Sequence, residues 1–221
     1  MKQFAVIGLG RFGQSVAMSL ASMGHQVLVV DKSEEQIQNI ADYVTEAMRA
    51  DAMNEDFLRD IDIASYDAVV VAMGSRSEVS IMVCMLLKDL GVHNIVAKAQ
   101  SRLHGEVLER IGVNRIIYPE WDMGERVART LTSSQNMLDY IELSPEHSIV
   151  EFTAPANFAG KTLKELALRT KRGISVMAIK QGKEVVVAPG GDTEVEEGDV
   201  LVAIGHQDCL KEISDSLKRR R

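Results

Sequence analysis

Residues 4–13 read FAVIGLGRFG, an apolar run that passes directly into glycines at 8, 10 and 13; residues 26–31, QVLVVD, form a second apolar run that ends on an acid, Asp31. A strand, a glycine turn, a helix and a second strand with an acidic end at this spacing specify a Rossmann-type pocket for the ribose and phosphates of an adenine nucleotide. The first glycine permits a tight turn, the second lets a phosphate approach the backbone, and the third lets the helix lie close on the strand. The helix N-terminus then presents unpaired N–H groups and the positive end of its dipole to the phosphates. Asp31 stands where a carboxylate accepts both ribose hydroxyls, and its charge disfavours a 2′-phosphate, so NADPH is not expected as the ligand.

Four further short runs follow: YVTEAMRAD (43–51), DAVVVAMG (67–74), NIVAKAQ (94–100) and NRIIYP (114–119). Nearly continuous apolar strands alternating with helical periodicity mark a parallel sheet covered on both faces. Helices are predicted at Gln14–Met23, Glu34–Ala41, Glu55–Ile61, Arg76–Leu90 and Arg102–Ile111, joined by right-handed crossovers. The expected fold class is α/β: a doubly wound, six-stranded Rossmann sheet over residues 1–135. A small α+β module follows over residues 136–221, its boundary helix running from about Asp122 to Ser133 with Ser134–Asn136 as the exit.

In that module strands are expected at Leu138–Leu143, Ser148–Thr153, Ser175–Lys180, Glu184–Val187 and Val200–Gly205, with helices at Thr162–Ala167 and Gln207–Lys218. Alternation through GISVMAIKQGKEVVVAP puts Ile174, Val176, Ala178 and Lys180 on one face. Such a module dimerises and forms a ligand cleft between copies, in which Arg169 serves either an anionic ligand or the solvated surface.

Ligands of a doubly wound sheet sit beyond the carboxyl ends of its strands. Nucleotide contacts are therefore assigned to Gly8, Leu9, Gly10, Arg11, Phe12 and Gly13, to Asp31 and Lys32, to Asp51 and Ala52 on the adenine side, to the turn Met73, Gly74 and Ser75, and to Lys98 and Glu120. Arg11 follows the second glycine, where a guanidinium holds a terminal phosphate of ADP or ATP bidentately, or else faces solvent. Lys98 points to phosphate or to a neighbouring carboxylate. Glu120 caps a helix, or holds a divalent ion or a nucleotide from another subunit.

The 221 residues carry a net charge of -7, which gives nucleic acid no general reason to bind, although the chain ends in KRRR. The two cysteines have no zinc spacing: Cys84 reads as a buried small hydrophobe and Cys209 as the inner face of a terminal helix. With no secretory signal and no bilayer-spanning run expected, the setting is cytoplasmic, and membrane association comes through another protein. No GxxxxGK[ST] loop occurs, and the five histidines, scattered over turns and helix ends, read as surface or capping residues. A nucleotide cleft without a second substrate pocket reads as a sensor rather than an enzyme. Rival readings are an NAD(H)-binding oxidoreductase, for which no residue supplies a proton donor, and a regulator that senses NADH.

FAVIGLGRFG, DAVVVAMG, NIVAKAQSRLHGEVLERIGVNRIIYPEWDMG, NMLDYIEL and the long run GKTLKELALRTKRGISVMAIKQGKEVVVAPGGDTEVEEGDVLVAIG resemble, in that order, the regulator-of-potassium-conductance (RCK, TrkA-like) family. The likeness is to the gating subunits of bacterial Ktr potassium uptake systems in particular. The resemblance implies homodimers formed through the helix after YPEWDMG and a homo-octameric ring of four dimers beneath a membrane-embedded potassium pore subunit. It implies ATP and ADP as the regulatory ligands, with NAD(H) secondary, and Glu120 as an interfacial acid for magnesium or another divalent cation bridging nucleotides. It further implies cyclic di-AMP at the second module, with Arg169, Ser175 and Val176 in the ligand-facing region.

Overall fold

The computed structural model describes residues 1–74, 76–132 and 137–210. Six strands, β1 (Gln3–Ile7), β2 (Gln26–Asp31), β3 (Glu46–Arg49), β4 (Ala68–Val71), β5 (Ile95–Lys98) and β6 (Arg115–Ile117), pair in parallel in the order β3-β2-β1-β4-β5-β6. Between them run helices α1 (Arg11–Ser22), α2 (Glu34–Ile40), α3 (Glu55–Asp60), α4 (Ser77–Asp89) and α5 (Arg102–Ile111), and α6 (Pro119–Thr132) follows. The strands are apolar on both faces because both faces are covered. Ala5, Ile7, Leu28, Val30, Val69 and Val71 join Leu58, Val83, Leu87 and Leu108 of α3, α4 and α5 in one core. The residues between them in sequence, Val6, Val27, Val29 and Val70, join Ala17, Ile37 and Ile40 of α1 and α2 in the other. A period of two along each strand thus feeds two helix layers.

Strand order reverses between β1 and β4, and the β1–α1 turn forms there. Gly8 adopts φ +95°, a conformation open to glycine, and donates its N–H to Val30 O at 2.9 Å. A Cβ on Gly13 would lie 1.9 Å from the Gly8 carbonyl oxygen, so only glycine lets α1 start so close to the turn. The helix opens at Arg11, three residues ahead of the predicted Gln14, because extended Gly10 caps it and accepts from Gln14 N at 3.0 Å.

The chain divides into two compact units, Met1–Trp121 and Asp122–Arg221, a division ahead of the 135/136 boundary expected from the change of pattern. In the second unit β7 (Met137–Glu142), β8 (His147–Thr153), β10 (Ser175–Gln181), β11 (Glu184–Val187) and β13 (Val200–His206) form an antiparallel sheet in the order β11-β10-β13-β8-β7. A two-stranded pair of β9 (Lys161–Thr162) with β12 (Glu194–Val195), absent from the sequence reading, stands beside helices α7 (Leu163–Leu166) and α8 (Leu168–Arg172). One face carries Val150, Phe152, Ile179, Leu201 and Ala203 into a core with Phe158 and Leu168.

The alternation expected for β10 does not hold. The register against β13 shifts between Val176 and Ala178, so Ile174 and Ile179, five residues apart, are both buried while Lys180 is exposed. The bulge reverses the phase of the strand. Ser134–Asn136 and most of the predicted terminal helix lie outside the described residues.

Gly13→Ala is expected to lower the urea midpoint at unchanged m-value, at a cost of about 1–3 kcal/mol for forced overpacking. A midpoint within error of the parent would show that α1 can move off the turn without loss.

Candidate nucleotide-binding site

Beyond the carboxyl ends of β1, β2 and β4 lies a cleft of about 410 Å³. Gly8, Leu9 and Gly10 line it from the β1–α1 turn, Asp31 and Lys32 from the end of β2, Ala52 from the loop after β3, and Met73 and Gly74 from the loop after β4. A Cβ on Gly10 would meet nothing within 4 Å, so this glycine answers to no neighbour inside the protein and leaves open space over the start of α1. The first turn of α1 has neither a side-chain cap nor an acidic residue, and its N–H groups remain available to an anion.

Asp31 is held between two loops. Its Oδ2 accepts Leu9 N at 2.6 Å and its Oδ1 accepts Ser33 N at 2.8 Å. Each oxygen keeps a further acceptor position, which is what two ribose hydroxyls require. Ser33 caps α2 by accepting from Gln36 N, so the acid, the glycine turn and the next helix form one hydrogen-bonded unit.

Leu9 contributes only backbone there, because its side chain is buried in the core shared with α1. Lys32 pairs with Asp51 at 2.8 Å, and Asp51 also accepts Met53 N. The Lys32 hydrogen bond, reinforced by Met53 N–H, holds the Asp51 carboxyl below its ordinary value.

Other expected contacts fall elsewhere. Arg11 is exposed and does not line the cleft, Phe12 is half-buried against the α1 core, and Gly13 is spent on packing. Ser75 lies outside the described residues. Lys98, largely buried, meets Glu120 at 2.5 Å, which decides for the neighbouring carboxylate; its Nζ stays near the Gly74 turn, 3.6 Å from where a Gly74 Cβ would be. That hydrogen bond pulls the Glu120 carboxyl below its usual range.

Glu120 also stands in the first turn of α6, behind Pro119 at its first position. Its partner within the chain is the Lys98 ammonium, and among the described residues no three His, Cys, Asp or Glu side chains are grouped to hold a metal. His104 departs from the surface reading: it is 4% exposed, its Nδ1 accepts Gln100 N, and burial pulls its pKa down against the opposing charge of Glu78.

Two features of the cleft escaped the sequence reading. Ala50 lines it from the end of β3, and Arg76 lines it from the residue before α4. The available signal for Arg76 was its place two residues beyond AMG, on the loop that faces the glycine turn. In the second unit, Arg169, Ser175 and Val176 come together with Lys164, Thr170 and Pro189 around a separate cleft of about 320 Å³.

A Rossmann unit with an acid at the end of β2, followed by a small antiparallel α+β unit, is the arrangement of the RCK class of regulatory protein. The chain belongs to this TrkA family: residues 4–119 match the TrkA-N domain and residues 147–218 the TrkA-C domain, which are regulatory and non-catalytic.

It is 43% identical over 204 residues to Ktr system potassium uptake protein C of Bacillus subtilis, covering 92% of each chain. It is likewise 43% identical over 210 residues to Ktr system potassium uptake protein A of the same organism, covering 95% of this chain and 94% of that protein. Among solved structures, the GsuK channel bound to NAD shares the fold at TM-score 0.65 and 19% identity, over 95% of this chain and 38% of that longer one. The NAD(P)-binding domain of an exopolyphosphatase-related protein from Archaeoglobus fulgidus is 25% identical at TM-score 0.53, over 59% of this chain and 98% of that domain.

These neighbours correct the ligand expectation that ranked ATP and ADP above NAD(H), since the ligands they carry in name are NAD and NAD(P). Arg11, on which the terminal-phosphate reading rested, is exposed at the start of α1 and is not among the residues that line the cleft.

Because the Glu120 carboxyl is depressed below its ordinary value of 4.5, the stability that it draws from Lys98 is present above about pH 4.5 and disappears as pH falls through the lowered pKa. Glu120→Gln is therefore expected to destabilise the protein at neutral pH by at most about 1 kcal/mol, the pair being partly solvated. Chemical denaturation across pH 3–7 should show parent and variant converging at the acid end; a pH-independent gap would mean that the ion pair does not set it.

Proposed function

We propose that the chain is a regulatory subunit of a potassium uptake system, that it binds NAD(H) in the β1–β4 cleft, and that its nucleotide state biases a membrane-embedded potassium pore. The observation that carries this reading is the Asp31 carboxylate, clamped by Leu9 N and Ser33 N beside an open Gly10, in a chain 43% identical to Ktr proteins across nearly its whole length. In this reading the pyrophosphate lies over Gly10 and the start of α1, and the ribose hydroxyls meet Asp31. The adenine packs against Ala50, Ala52 and Met73, with the Lys32–Asp51 pair at its edge. Gly8 and Gly13 shape the turn without touching the ligand.

The working particle is a ring of homodimers, eight chains in all, on the cytoplasmic side of the pore subunit. The pore itself belongs, in this reading, to a separate membrane-embedded subunit; among the described residues no helix is long and apolar enough to cross a membrane. Nucleotide shifts the ring between shapes only as far as its affinity differs between them; the regulatory work is a coupling free energy, not a reaction.

Titration calorimetry of the nucleotide-stripped protein should show saturable binding of NADH or NAD⁺. Asp31→Ala should weaken it by tenfold or more, in line with about 1.5–3 kcal/mol for hydrogen bonds to a charged group. In vesicles holding a Ktr-type pore subunit, the parent should make potassium flux depend on the dinucleotide and Asp31→Ala should not. Unchanged affinity in the variant would place the ribose elsewhere, and binding of ATP or ADP alone would overturn the ligand.

A further inference from the structure

We propose that Arg76 is the pyrophosphate-reading cation of the cleft, closing it from the β4 side opposite Gly10; the inference rests on reading the cleft as a dinucleotide site. The ligand of a doubly wound sheet crosses the crevice between the loops at the point where strand order reverses, here between β1 and β4. Gly10 and the start of α1 form one wall of that crevice, and Arg76, at the end of the β4 loop, lines the other. A phosphate chain over Gly10 therefore runs between a helix N-terminus and a guanidinium.

The charges of the cleft single out this side chain. Asp31 has both oxygens on backbone N–H groups, and Lys32 is tied to Asp51. Arg76 is exposed and makes no ion pair within 4.0 Å among the described residues. Its positive charge is nevertheless felt at Asp51, so the guanidinium is within electrostatic reach of the cleft mouth.

A helix N-terminus supplies only about half a unit charge, whereas a pyrophosphate brings two anionic groups whose oxygens match the two-pronged guanidinium fork. Asp51 and Arg76 also lie across the cleft from one another in chain terms, on the β3 and β4 loops. An anion arriving between them gains the arginine without breaking a pre-existing salt bridge.

The test uses the full chain, stripped of nucleotide, and three probes: NADH, AMP and adenosine. Arg76→Gln removes the charge at an exposed position, and its thermal melt should match the parent. NADH affinity should fall about tenfold, AMP affinity less, and adenosine affinity not at all, while the salt dependence of NADH binding flattens. Arg76→Lys should recover part of the loss, and Arg11→Gln should leave NADH affinity within twofold.

Equal losses for adenosine and NADH would overturn the assignment, since the arginine would then serve the base. Unchanged NADH affinity in Arg76→Gln, with the parent still binding, would overturn it while leaving the dinucleotide reading intact. A parent that binds no NADH would bring down both.

Discussion

The Gly8 carbonyl and the Gly13 α-carbon stand so close that a single methyl group between them would collide at 1.9 Å, and the architecture of the first unit depends on that approach. It sets the start of α1 directly over the end of β1, at the point where strand order reverses. Because α1 begins there and not a turn later, its free N–H groups open into the cleft and its apolar side reaches Val6, Val27 and Val29. The turn therefore sets both the packing of α1 and the open space over its first N–H groups. The Asp31 carboxylate ties the turn to the end of β2 by accepting Leu9 N, so loss of that acid would loosen the turn.

Charge around the cleft follows a consistent division of labour. Lys32 with Asp51, Arg49 with Glu34, and Lys98 with Glu120 are each neutralised by a neighbour, and these pairs frame the sheet's carboxyl edge without presenting free cations to a ligand. Such partly exposed pairs contribute little stability. In the proposed reading, recognition is directional: backbone N–H groups, an acid with spare acceptor positions, and the one arginine that lines the cleft. A site built this way suits a sensor, in which binding must be reversible and different in two shapes of the assembly.

Much of the first unit was legible from residues alone. Covered parallel strands leave long apolar runs, the glycine spacing has few other uses, and Asp31 falls where β2 ends. The second unit resisted for a definite reason. Its half-exposed strands depend on period-two alternation, and one extra residue at Val176–Ala178 reverses the phase, so Ile179 is core and Lys180 is solvent. The two-residue strands β9 and β12 carry no periodic signal at all. Within the cleft, the glycine turn and the acid at the end of β2 could be placed from the sequence, whereas the long cations could not. Arg11, Lys98 and Arg76 each have enough reach to leave or enter the cleft, and chain position does not say which they do.

By itself the sequence determined the doubly wound class, the position of the glycine turn, the acid at the end of β2 and the family, because each rests on local geometry or on a pattern repeated along the chain. Only the tertiary structure decided which arginine lines the cleft, that Glu120 pairs with Lys98, that His104 is buried, and where β10 changes phase. Those outcomes depend on through-space distances between residues far apart in the chain. An ion pair forms when two loops bring opposite charges within about 4 Å, and a side chain is buried when another element covers it; neither condition is written in the spacing of one segment.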